Sequence, residues 1–347
     1  MMTLTTPKAS PAALDGAALA AYLAPRLEGD WRDLEITPFT GGQSNPTFLL
    51  RAGDRHYVLR KRPPGPLLPS AHAIDREYRV MQALRTTPVP VPRLHLFCED
   101  ETILGTTFFI MDYVAGRVIK EPELPGLSPQ ERAATYDAMA ACLAALHQVD
   151  LNAAGLADYG RPQGYYARQV KRWGEQYRAS ETHSIAEMEE LIAWLPANLP
   201  AEGPASLVHG DFRLENLILH PSEPKILAVL DWELSTLGDP LGDLAYNCLP
   251  WHLPPHAFGG LKGRDLAGSG IPREADYLQA YCRLTGRSHI DQWHFYVAFA
   301  LFRLAAILQG VFKRALDGNA ASPDARQRGA LASVCAQAGW AAIVEAR

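Results

Sequence analysis

Between Leu207 and His220 the chain reads LVHGDFRLENLILH, which sets a histidine, an aspartate, an arginine, a glutamate and an asparagine between two apolar stretches. An unpaired polar group costs a few kcal/mol to bury, so such a cluster either faces water in a loop or is held for chemistry. Shortly downstream KILAVLDWE, Lys225 to Glu233, ends a second apolar run in Asp231. These residue types suit phosphoryl transfer. One carboxylate, Asp211, can accept or orient the proton of an acceptor hydroxyl. The amide oxygen of Asn216 and the carboxylate of Asp231 are hard oxygen ligands of the kind Mg²⁺ takes while bridging nucleotide phosphates. Either short pattern alone reads equally well as a plain loop or a strand-end cap; their order and spacing, with the elements upstream, argue for chemistry.

Those groups need elements to position them. LVHGD ends a short apolar run in a loop, FRLENLILH crosses into a strand and KILAVLDWE returns as another, so an antiparallel pair carries Asp211, Asn216 and Asp231 to one end of a hairpin. Earlier in the chain LEITPF and PTFLLRA read as strands, Gly53 to Arg55 as a tight turn and HYVLRKR as the returning strand. HAIDREYRVMQALR repeats apolar residues at Ile74, Tyr78, Met81 and Leu84 on one helical face. The proline-broken TTPVPVPRLHLF must be extended, and TTFFIMDYVAG adds a strand running into Gly116. Beyond that glycine the pattern turns helical. Ser128 and Glu131 form a capping box before RAATYDAMAACLAALHQV, and further helices are expected near 164 to 180, 185 to 195, 273 to 285 and 291 to 316. The fold class is α+β, a strand-rich lobe followed by a helical one.

The bulk numbers agree with that plan. A length of 347 residues suggests about two domains, and 48% hydrophobic against 20% charged residues is a globular balance. A net charge of -5 offers no basic field for nucleic acid or a membrane surface, so neither is expected as a partner. Five cysteines, Cys98, Cys142, Cys248, Cys282 and Cys335, are scattered and include no C-x-x-C pair, which reads as reduced thiols in a cytoplasmic protein. The alanine-rich start lacks the basic flank of a signal peptide and is interrupted by Asp15, so it reads as a surface amphipathic helix. FYVAFALFRLAAILQGVF, Phe295 to Phe312, is long and apolar, yet Arg303 at its centre would cost ~3 kcal/mol in a bilayer, and a buried core helix is the better reading.

His209-Gly210-Asp211, four residues and then Asn216 resemble the catalytic loop of protein kinases, H-R-D-x-x-x-x-N. Glycine in place of arginine, and DWE in place of D-F-G, are similar to the aminoglycoside phosphotransferase and choline kinase branch. HGDFRLENLILHP, LDWELSTLGDPLGDLAYN and YVLRKRPPG most resemble the kinase-like domains that some higher organisms fuse to acyl-CoA dehydrogenases. The resemblance implies a protein-kinase-like two-lobed fold: residues 1–29 an N-terminal helix, 30–113 a nucleotide-binding N-lobe, and 114–347 a helical C-lobe with the catalytic loop and acceptor site. It also implies ATP and Mg²⁺ as cofactors, Asp211 as base, Asn216 and Asp231 as metal ligands, and a small-molecule acceptor.

Within that frame FTGGQSNPTF supplies the phosphate grip. Gly41 and Gly42 let backbone amides approach phosphate oxygens, and Gln43, Ser44 and Asn45 complete the loop, although a plain hairpin turn would look much the same. In YVLRKRP the phosphate-holding cation is Arg60 by alignment or Lys61 by chemical identity; alternation sends the two to opposite faces, and Arg60 is favoured. Glu77 would pair with it, and the backbone of Asp112, Tyr113 and Val114 would meet the adenine edge. His209 is expected to orient the loop, Asp239 and Asp243 to cap turns or hold it, and Glu233 to bind metal through water or to face the acceptor.

A non-catalytic pseudokinase would show a damaged base or metal ligand, and all three residues are intact; a protein kinase would need a longer segment after Asp231 with A-P-E. The acceptor stays open between aminoglycosides or amino alcohols and an anionic compound such as a hydroxyacyl-CoA. RPQGYYARQVKRWGEQYR, Arg161 to Arg178, sets five basic residues against one acid, a net +4. It is either a solvated face or an inward-turned lining for an anion.

Overall fold

The structure is a computed structural model, and it describes residues 14–39, 45–63, 74–318 and 324–346. The chain divides into two compact units, Met1–Gln82 with Pro92–Tyr113 and Ala83–Val91 with Val114–Arg347.

The first unit is built on a five-stranded antiparallel sheet. Strands β1 (Glu35–Pro38), β2 (Thr47–Ala52), β3 (Arg55–Lys61), β4 (Leu94–Cys98) and β5 (Phe108–Asp112) lie in the order β1-β2-β3-β5-β4. Gly53, at φ 63°, makes the two-residue turn between Ala52 and Arg55 that fixes the β2–β3 register. One face packs Phe48, Leu50, Leu59, Phe108 and Ile110 against Leu19 and Leu23 of helix Gly16–Leu23, whose N-terminus Asp15 caps. On the other, helix Ile74–Leu84 buries Glu77 among its apolar residues. The segment read as extended from Thr86 becomes a strand only at Leu94: Pro88, Pro90 and Pro92 have no N–H to give a ladder.

The second unit holds two small antiparallel pairs, β6 (Ser206–Val208) with β9 (Thr236–Gly238) and β7 (Leu217–Leu219) with β8 (Ile226–Val229). Both strands foreseen for the hairpin are shorter than read, because Leu214–Asn216 winds into a single 3₁₀ turn before β7. Helix Pro129–His147 starts at the expected capping box, with Ser128 and Glu131 exchanging both hydrogen bonds. Helix Trp293–Leu316 is long and apolar enough to cross a membrane by length alone, yet most of it is enclosed, packed on helices Tyr165–Ser180, Pro240–Asn247 and Ala332–Val344. The helices Ala325–Gly329 and Ala332–Val344 went unread in the sequence, the first being a single turn and the second an alanine-rich run with little amphipathic pattern.

Candidate active site

The loop that carries Asp211 leaves β6 at Val208 and is fixed from three sides. Gly210 sits at φ 82°, and a Cβ there would come within 2.7 Å of the Leu234 carbonyl oxygen, so only glycine fits. The backbone N–H groups of His209 and Gly210 both donate to the Asp243 carboxylate, at 2.5 and 2.7 Å. Burial alone would push the Asp243 carboxyl up, but the hydrogen bond and pull of His147, together with the His209 N–H, outweigh it and hold it below its usual range. His147 lies behind, with Nε2 3.4 Å from Asp243 and Nδ1 2.7 Å from the Tyr281 hydroxyl.

His209 is fully buried and joins loop to hairpin. Its Nδ1 accepts the Asp211 N–H at 3.1 Å, which leaves Nε2 to donate to the Leu230 carbonyl at 2.9 Å. Leu230 in turn donates its N–H to the Asn216 carbonyl at 2.8 Å. The strand end that presents Asp231 is therefore bonded to the loop through both of its neighbour's backbone groups. Asp231 itself lies at φ 66°, ψ 60°, a left-handed conformation uncommon for a non-glycine residue and of the kind that gathers at functional sites.

Asn216 Nδ2 donates to both the backbone oxygen and Oδ2 of Asp211, each at 2.8 Å, so Asn216 faces its amide oxygen away from that carboxylate. Arg213 Nε stands 3.3 Å from the same carboxylate and its Nη1 2.6 Å from Glu215. Burial works against the Arg213 charge, but Asp211, Tyr246 and Glu215 raise its pKa above the ordinary value. A cavity of about 300 Å³ opens beside it, lined by Arg213 and Tyr246 with Tyr136, Met139, Leu253 and Phe258. Burial and the neighbouring Asp211 carboxylate push the Tyr246 phenol up, so the cavity wall lies next to Asp211.

In the strand-rich unit, Arg60 Nε pairs with Glu77 Oε2 at 2.7 Å, with side chains 13% and 3% exposed. Lys61 points to the other side of the sheet, its Nζ 3.4 Å from the Leu104 carbonyl, and burial lowers its pKa. Gly41, Gly42, Gln43 and Ser44 lie outside the described residues. Asn45 is 4% exposed, and neither polar atom of its side chain has a partner among the described residues.

The model of the phosphotransferase enzyme family (APH) matches residues 35–287. The chain belongs to that family. It is 51% identical over 309 residues to acyl-CoA dehydrogenase family member 10 of Mus musculus, covering 88% of this chain and 29% of the relative, so it spans under a third of that protein's length. Among solved structures, a Ralstonia eutropha protein provisionally named an aminoglycoside phosphotransferase is 47% identical, with a TM-score of 0.87 over 96% of this chain and 99% of the other. The aminoglycoside phosphotransferase APH(4)-Ia, in a ternary complex with AMP-PNP and hygromycin B, is 17% identical with a TM-score of 0.60 over 94% and 98%, a likeness of fold alone. The fold is thus α+β and kinase-like, as the motifs implied.

Two segments singled out in the sequence can now be placed. Of the backbone groups expected at the adenine edge, the Asp112 N–H donates to the Arg93 carbonyl and the Tyr113 N–H to the His56 carbonyl, while the Val114 N–H has no partner among the described residues. The Asp112 side chain is held by His95 at 2.5 Å. The basic helix, Tyr165–Ser180, turns Tyr165, Tyr166, Val170, Trp173 and Tyr177 inward. Lys171 pairs with Glu175, Arg178 with Glu181 and Glu189, Arg172 is exposed, and Arg168 bonds the Arg161 carbonyl. Its basic side is a solvated face, because the aromatic residues claim the buried stripe. Sequence reading passed over Arg213, which lay inside the motif without a role, and Tyr246 and His147, which look like any buried helix residue until Asp211 and Asp243 are seen beside them.

Proposed function

We propose that this chain transfers a phosphoryl group from ATP to the hydroxyl of a small molecule, with Asp211 as the base. The observation that carries this is the Asp211 carboxylate itself, gripped by Asn216 Nδ2 and Arg213 and set beside a cavity large enough for a small organic arm. The residues suit the missing groups. The unpartnered amide of buried Asn45 and the cation Arg60 suit nucleotide phosphates, and the AMP-PNP complex of a fold neighbour supports a nucleotide donor. Asn216 and Asp231 would offer two hard oxygens to a Mg²⁺ that completes its shell with phosphate and water. Bound there, the metal would neutralise charge on the transferring group.

Asp211 would draw the hydroxyl proton while Asn216 fixes which carboxylate oxygen is free to do so. Arg213 would hold the carboxylate in place and, with Tyr246, wall the acceptor. The lining is mostly apolar, which favours an acceptor with a hydrocarbon arm, such as a hydroxyacyl-CoA, over a polycationic aminoglycoside. The name of the mouse relative agrees with acyl-CoA chemistry. An ATP-consumption screen across hydroxyacyl-CoAs, amino alcohols, sugars and aminoglycosides tests the reading. With the best acceptor, Asp211→Asn should lower kcat by about 10²- to 10⁴-fold and leave ADP affinity within a few-fold. Wild-type turnover in that variant would remove Asp211 as base, and no consumption above background with any acceptor would favour a non-catalytic nucleotide binder.

A further inference from the structure

Arg303 is the one charged residue among the buried positions of helix Trp293–Leu316, and it is 7% exposed. Among the described residues its enclosed Nε has no hydrogen-bond partner, and no carboxylate pairs with its guanidinium. What surrounds it is aromatic: the guanidinium lies 5.3 Å from the Trp173 ring centroid and 5.4 Å from that of Tyr246. Arg172 lies over the same indole at 5.5 Å, so two cations share one ring. Aromatic faces attract a cation but do not neutralise it, and a buried charge without its counter-ion is a standing cost to the fold. Tyr246 walls the cavity beside Asp211, and Leu304, the next residue in the helix, lines it too. Arg303 does not itself line the cavity; its charge stands one side chain behind the wall, against the Tyr246 ring.

We propose that Arg303, between Trp173 and Tyr246, is an anion subsite that takes a carboxylate or phosphate group carried by the acceptor. The assignment to the acceptor rests on the phosphotransfer reading; the existence of the subsite does not. A guanidinium fork matches either anion with two parallel hydrogen bonds, and bringing an anion to it would satisfy donors that the fold leaves open. The acceptor class is then a hydroxyl compound with an anionic group within reach of the same cavity, rather than a neutral alcohol or an amine.

The test has an arm without turnover and an arm with it. In phosphate-free buffer, Arg303→Met should melt about 3 °C above wild type, because it removes an uncompensated charge and keeps the length of the side chain. Inorganic phosphate and malonate should raise the wild-type melting temperature saturably, leave that of Arg303→Met unmoved, and act on Arg303→Lys several-fold more weakly. A variant that melts lower than wild type, with anion responses equal in all three proteins, would make Arg303 a structural cation and overturn the proposal. In turnover assays with an anionic acceptor, Arg303→Lys should raise the acceptor KM about tenfold and leave the ATP KM unchanged. A rise in the ATP KM alone would assign the cation to the nucleotide and overturn it equally. If the acceptor screen finds no turnover, the phosphotransfer reading falls and the melting arm still decides the subsite.

Discussion

Arg60 and Arg303 are both removed from water, and the two units treat them in opposite ways. In the strand-rich unit Arg60 has Glu77 at 2.7 Å, with Thr47 Oγ1 a further 3.4 Å contact. In the helical unit Arg303 has two rings and no carboxylate among the described residues. A charge supplied with its counter-ion by the chain is part of the scaffold's own balance. A charge left without one is balanced only when something else arrives. The difference is useful because the two arginines should respond to substitution with opposite signs.

The largest effect should come from making Arg60 resemble Arg303. Glu77→Met leaves the Arg60 charge buried without its carboxylate, and unfolding free energy should fall by about 3 kcal/mol or more in a urea titration. An unchanged midpoint would show that Arg60 is stabilised by other means, and the contrast with Arg303 would dissolve. Asp243 extends the comparison to a buried anion that the chain partners fully. Its pKa in the fold lies below the ordinary 3.8, so its ionised form adds stability above that value, and the contribution is lost as pH falls through the depressed one. Asp243→Asn should cost about 2 kcal/mol at neutral pH and flatten the loss of stability on acidification below pH ~4; an acid limb identical to wild type would contradict this. The smallest effect is kinetic. Arg60→Ala should raise the ATP KM about tenfold, the size expected for losing one charge-assisted hydrogen bond, whereas Lys61→Ala, facing Leu104, should change it by less than about twofold. The reverse ranking would mean that the phosphates meet the other side of the strand.

Much of this was readable in advance where chemistry and local pattern coincide. The β2–β3 hairpin, the capping box at Ser128 and the core placement of the helix around Arg303 follow from turn residues, a four-residue motif and a charge too costly for lipid. Alternation along β3 likewise separates Arg60 from Lys61 before any coordinates are seen. The rest depends on contacts distant in sequence. That the amides of Asp112 and Tyr113 are engaged depends on where Arg93 and His56 fall in the sheet. That the basic helix faces solvent depends on which of its stripes the neighbouring helices accept, and aromatic residues outcompeted arginines for that place. Arg303 was noticed for its oddness, but only the neighbours at Trp173 and Tyr246 show that no anion accompanies it.

The left-handed backbone at Asp231 bears on how this chain could drift. At φ 66° a glycine or an asparagine sits with less strain than aspartate, so either replacement would ease the turn at the moment it removed the charge. Any other residue except glutamate would lose the carboxylate and gain nothing in backbone comfort. A lineage released from the need for phosphoryl transfer would therefore have a downhill route open at this one codon, toward Gly or Asn. If Asp231 serves phosphoryl transfer as proposed, aspartate is held there against that slope, and in any related chain the identity of this residue is a quick gauge of whether the chemistry has been kept.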